Sequence, residues 1–113
     1  MSVGAGSAVV EIIWNVNPFR AEKFEAAWRE PAEAALDYGA TAWALLHCKD
    51  DPLQFIQLAA FPDKVAFERY WQSEEIATAR AEASGLYQVP ILPVWHQLVG
   101  GGLLTAAGSP TSA

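Results

Sequence analysis

The chain predicts an α+β fold with element order βαββαβ. Three observations carry this. An opening run, Ala8–Val16, is rich in β-branched and aromatic residues. The stretch ATAWALLHCKDDPLQFIQLAAF, Ala40 to Phe61, reads as two apolar strands around a charged turn. Each of these blocks is followed by a segment with helical spacing, and a further apolar run closes the order.

In the first strand the even positions Val10, Ile12, Trp14 and Val16 are all apolar, while the odd positions mix Val9 and Ile13 with Glu11 and Asn15. Asn17-Pro18 then predicts a helix start, Asn as the cap and Pro at the first helical position. That helix is expected to reach about Asp37, with a stripe of Phe24, Ala27, Trp28, Ala35 and Tyr38, a kink or a break near Arg29–Glu30 caused by Pro31, and a stop at Gly39. The hairpin turns at Lys49-Asp50-Asp51-Pro52. Its register stays open, because a one-residue slip moves His47 from beside Gln54 to beside Phe55.

Pro62-Asp63 opens the second helix, whose apolar side is Val65, Phe67, Tyr70 and Trp71. Ser73-Glu74-Glu75 predicts a restart through Ile76–Ala83, ended by Ser84-Gly85. Gln88–Val99 is expected as the fourth strand, part of it on an edge or at a bulge because Pro90 and Pro93 cannot donate ladder hydrogen bonds. Two crossover units joined by a hairpin give a ferredoxin-like fold: a four-stranded antiparallel sheet with two helices on one face. Domain boundaries follow: a loose N-terminus at 1–7, the domain at 8–99 and a loose Gly-rich tail at 100–113.

At 113 residues the chain fits one domain able to bury a core of its own. Net charge is −6 and no basic stripe exists, which disfavours nucleic acid and an anionic membrane surface as partners. No apolar run reaches the roughly 20 residues of a membrane span. The start of the chain lacks signal-peptide features, and Cys48 is a single cysteine, so a cytoplasmic location is expected. The hydrophobic fraction of 52% is high for so short a chain. Helices cover one face of the sheet, yet the alternate residues on the other face are also apolar. A second copy is therefore expected to cover that face.

The segment GATAWALLHCKDDPLQFIQLAAFPDKVAFERYWQSEEI, with the opening strand and the closing VPILPVW, resembles the dimeric α/β-barrel proteins of the antibiotic-biosynthesis-monooxygenase type. The likeness covers roughly Ala8 to Val99. It rests on a Gly before strand 2, an acidic-Pro hairpin turn, a strand ending in an aromatic, and an aromatic helix before a Ser-acid step. This resemblance implies a homodimer whose sheets face each other as a barrel, and a pocket in each protomer between its own sheet and helices. It further implies cofactor-free oxygenation of a small aromatic, quinol or polyketide-type molecule; the alternative is a non-catalytic dimeric small-molecule-binding or assembly protein of the same fold, and the third reading is haem degradation.

Cofactor-free oxygenation needs a base and a dry site with partners for a developing oxyanion. His47 is the candidate base, since its ordinary pKa lies near neutrality. Asn15, Gln57, Tyr70, Trp71, Arg80 and His96 are the candidate substrate-binding residues: amides on apolar strands, aromatics on the second helix, an arginine farther along it, and a second histidine next to Trp95. Which histidine faces a cavity is left open. Haem-degrading relatives carry Trp in the FxxW step and an axial His shortly after. Here the step reads Phe67-Glu68-Arg69-Tyr70 and the matching position falls near Arg80, which is no ordinary haem ligand. No metal-spaced cluster, phosphate loop or nucleophile elbow is present, so neither metal nor cofactor is expected.

Overall fold

The computed structural model describes residues 8–102. The expected loose segment 1–7 and most of the expected tail lie outside the described residues. Strand β1 is Ala8–Asn15, β2 is Ala42–His47, β3 is Gln54–Phe61 and β4 is Val94–Gln97. Helix α1 is Ala21–Glu33 and runs into a 3₁₀ turn at Ala34–Tyr38; α2 is Lys64–Trp71 and α3 is Glu74–Glu82. All strand pairs are antiparallel, in the order β2-β3-β1-β4. This is the predicted βαββαβ sheet, with its second helix divided in two.

Capping explains the division. The Asp63 carboxylate accepts from the Ala66 N–H at 2.9 Å and starts α2; the Ser73 hydroxyl accepts from the Ile76 N–H at 3.2 Å and starts α3. Gly39 and Gly85 take positive φ angles of 99° and 92°, closing the helical segments where only glycine is unstrained.

Three local expectations are corrected. Helix α1 begins at Ala21, not at Pro18, because the Asn17 side chain is used elsewhere: its Nδ2 donates to the Gly85 carbonyl at 2.7 Å. Pro31 does not break the helix near Arg29. Its missing N–H deprives the carbonyl of Ala27, and Ala27 is exposed, so water can satisfy it. The last strand is only four residues long, since Pro90 and Pro93 withhold the donors that a longer ladder needs.

The hairpin register sets His47 opposite Phe55 and Leu45 opposite Gln57. Strand alternation then sorts the two faces. Trp14, Phe55, Gln57 and Phe61 point at the helices and are buried. They meet Phe24 and Trp28 of α1, and Tyr70 of α2. Trp14 lies 4.6 Å from Trp28 and 5.3 Å from Phe24, ring centre to ring centre.

One polar residue sits in this core. Gln57 is 1% exposed. Its Oε1 accepts from the indole N–H of Trp28 at 2.8 Å and of Trp14 at 3.2 Å; its Nε2 donates to the Tyr70 hydroxyl at 3.0 Å. The hydroxyl in turn donates to the Pro31 carbonyl at 2.6 Å. Direction is fixed throughout, because an indole can only donate and a carbonyl can only accept. The chain ties β1, β3, α1 and α2 together through one amide. Gln57→Leu orphans two buried indole N–H groups and is expected to cost roughly 3 kcal/mol. Urea denaturation of the variant beside the native chain checks this.

Candidate functional site

The space between sheet and helices is filled. The aromatic rings pack around Gln57, whose Oε1 accepts from both indoles and whose Nε2 donates to the Tyr70 hydroxyl. One depression on the helix side lies at the β2 edge. It has a volume of about 330 Å³ and is lined by Glu25 and Arg29 of α1 and by Trp43, Ala44, Leu45, His47 and Phe55 of the hairpin. That volume falls near the lower end of the roughly 300–1,000 Å³ typical of small-molecule sites.

The two walls differ. Trp43, Leu45 and His47 alternate along β2 and share the helix-facing side of the sheet. On the other wall Glu25 and Arg29 stand one turn apart and pair at 3.2 Å. Both are partly exposed, so the pair contributes little to stability. It does place a cation and a carboxylate beside an aromatic surface.

His47 is held from two sides. Its ring lies 4.1 Å from the Phe55 ring and within 3° of parallel. Its Nε2 is 2.8 Å from the Pro52 carbonyl oxygen. A carbonyl cannot donate, so the proton of the neutral ring sits on Nε2. Nδ1 is left as the nitrogen that can accept a proton. Pro52 belongs to the turn, whose shape is kept by the Asp51 carboxylate accepting from the Leu53 N–H at 3.0 Å.

The remaining sequence candidates fall in three other places. Gln57 and Tyr70 form the core hydrogen bond described above. Trp71 and Arg80 meet each other: the guanidinium carbon is 4.5 Å from the Trp71 ring centre, and its Nη2 donates to the Trp71 carbonyl at 2.8 Å. The Arg80 Nε is buried with no partner among the described residues. Asn15 and His96 lie on the opposite face of the sheet, which corrects their expected place in a helix–sheet pocket. Strand alternation turns them away, since Trp14 and Trp95 take the inward positions. His96 Nε2 is 3.1 Å from a Glu11 carboxylate oxygen there.

Glu25, Arg29, Trp43 and Phe55 were not singled out by the sequence. Glu25 and Arg29 carry an i,i+4 signal that marks them as a pair without showing what they border. Trp43 and Phe55 became visible as a wall only once the register was fixed. Among the described residues no group of three or more His, Cys, Asp or Glu side chains is placed to hold a metal ion. Among those residues, too, no helix is long and apolar enough to cross a membrane.

Burial pushes the Tyr70 phenol up to about 12, partly offset by the Gln57 hydrogen bond, which lowers it. The neutral form is therefore favoured on folding. Its contribution is fully present below the ordinary tyrosine value near 10, and is lost as pH rises through about 12. Unfolding free energy is expected to fall between pH 10 and 12 with a slope of about 1.4 kcal/mol per pH unit from this group. Tyr87 is raised by burial as well, so the comparison needed is with Tyr70→Phe, which should flatten the profile.

No family model matches the chain, and no curated protein matches it. Solved structures do. A Nitrosomonas europaea protein provisionally described as an antibiotic biosynthesis monooxygenase superposes with a TM-score of 0.74 at 18% identity, over 86% of this chain and 94% of that one. A Caulobacter crescentus protein with the same provisional description gives 0.73 at 16% identity, over 85% and 92%. A Pseudomonas aeruginosa protein gives 0.73 at 16% identity, over 88% and 100%. The chain thus has the fold of structures described as antibiotic biosynthesis monooxygenases.

Proposed function

We propose that the protein is a cofactor-independent, monooxygenase-like enzyme that works on a small aromatic or quinol-type molecule in the β2-edge groove, with His47 as the base. The observation that carries this is the His47 ring, whose Nε2 is engaged by a backbone carbonyl, which leaves Nδ1 as the nitrogen without a hydrogen in the neutral ring. Its position in a groove with Trp43 and Phe55 suits a flat aromatic guest.

The chemistry asks little more. Nδ1 takes a proton from a phenolic hydroxyl or an activated carbon. The resulting anion gives one electron to dioxygen, and the two radicals join through a new C–O bond. The O–O bond then breaks; one oxygen stays on the substrate as a carbonyl, and the other leaves as water, carrying the proton that His47 returns together with a second substrate hydrogen. Arg29 stands on the opposite wall as a cation for the developing oxyanion. Arg80, with its buried unpaired Nε and its seat on Trp71, is a further proposed anchor for an acidic group, on a different part of the surface. The apolar outer sheet face, with Ile13, Leu46 and Val94 exposed, supports a homodimer whose two sheets cover each other. Asn15 and His96 would then line that interface.

A second reading has its own support. The amide at the centre of the core is already engaged by Trp14, Trp28 and Tyr70, which favours a dimeric protein that binds a small molecule without transforming it. Oxygen uptake separates the two. With an anthrone- or quinol-type substrate, the enzyme reading predicts stoichiometric oxygen consumption and a loss of at least about 100-fold in His47→Ala. Binding without oxygen consumption across a panel of such substrates, or an unaffected variant, would assign the protein to the second reading.

A further inference from the structure

From Asp51 to Gln54, every backbone carbonyl of the hairpin turn has a partner. The Asp51 carbonyl accepts from the Gln54 N–H at 3.0 Å, the Leu53 carbonyl from the Val16 N–H at 2.7 Å, and the Gln54 carbonyl from the Cys48 N–H at 3.0 Å. The Pro52 carbonyl takes a side chain instead, the His47 Nε2 at 2.8 Å. The stack on Phe55 fixes the plane of the His47 ring, but not which nitrogen points where within that plane. The Pro52 carbonyl makes that choice.

One peptide unit joins this contact to a carboxylate. The Leu53 N–H donates to the Asp51 Oδ1 at 3.0 Å. That N–H and the Pro52 carbonyl belong to the same peptide. The unit is planar, and it is trans, since the cis bond among the described residues is Val89–Pro90. In a trans peptide the N–H and the C=O point in opposite directions. A grip on the N–H from one side therefore aims the carbonyl to the other side, at His47. Pro52 stiffens the unit, because its ring fixes φ near about −65°. A carboxylate on the N–H also polarises the peptide and strengthens the bond that its carbonyl accepts.

We propose that Asp51 is a positioning residue for His47, acting through the Pro52–Leu53 peptide. The order is carboxylate, peptide, imidazole, groove. A catalytic base is commonly oriented by a third group in direct contact with it. Here the third group stands one peptide away, and a backbone carbonyl makes the contact. Asp51 touches no substrate in this role. The setting of the ring follows from the turn whatever the groove binds; the consequence for turnover rests on reading His47 as the base.

Asp51, Pro52 and His47 are all exposed, so variants of the turn are expected to fold. Asp51→Ala removes the acceptor. Asp51→Asn keeps a side-chain oxygen that can accept from the Leu53 N–H, without the charge. Nitrogen-15 chemical shifts of the two His47 ring nitrogens, read where the ring is neutral, report which one carries the proton. In the native chain it should be Nε2. A single hydrogen bond is worth roughly a two- to tenfold preference, so Asp51→Ala should raise the share of the Nδ1–H form at least about twofold. Asp51→Asn should stay close to the native chain. Oxygen uptake with a quinol-type substrate is the second readout: Asp51→Ala should lower kcat about tenfold with KM unchanged, and Asp51→Asn should recover most of the loss. An unchanged ring in Asp51→Ala overturns the proposal whatever the turnover, as does an Asp51→Asn ring that behaves like that of Asp51→Ala. A changed ring with unaffected turnover, or with no turnover in the native chain, upholds the positioning role and removes the reading of His47 as the base.

Discussion

The structure depends on how one buried amide is satisfied. Gln57 occupies the middle of β3 and the centre of the core. Two indole N–H groups would be unpaired without it, and the Tyr70 hydroxyl would keep only its bond to the Pro31 carbonyl. Burying them unpaired would cost several kcal/mol in total. Paired in one chain, they permit large aromatics to pack where a small sheet meets its helices. The amide therefore decides two things: it locks β1, β3, α1 and α2 in one arrangement, and it holds the aromatics that close up the middle of the interior.

That closure moves the candidate chemistry outward. With the centre occupied, the groove between α1 and the β2 edge is where an aromatic molecule can meet a histidine. His47 is set there by a stack on Phe55 and by the Pro52 carbonyl, both consequences of the hairpin. The acidic turn thus has a role beyond reversing the chain. It supplies the backbone oxygen that selects the histidine tautomer.

The fold was legible in the sequence because its signals are local. Alternation in β1, the cap at Ser73, and glycines at positions 39 and 85 act within a few residues of themselves. The site was legible only in part. His47 stood out by residue type, but its neighbours Glu25 and Arg29 are joined to it through the packing of α1 on β2, which no short window contains. Gln57 looked like a ligand partner because an amide in an apolar strand needs one. The partners turned out to be Trp14, Trp28 and Tyr70, three residues distant in sequence and individually ordinary core aromatics. Asn17 failed as a cap for a similar reason: Gly85, brought near by the fold, competes for its side chain.

The claim that the interior is closed and the β2-edge groove is the binding surface meets its most direct test in a titration followed by amide and indole NMR signals, with a naphthol as the aromatic probe. The account predicts that backbone signals of Trp43, His47 and Arg29 move first, while the indole N–H signals of Trp14 and Trp28 stay in place. Early movement of those two indole signals, with His47 unchanged, would contradict it.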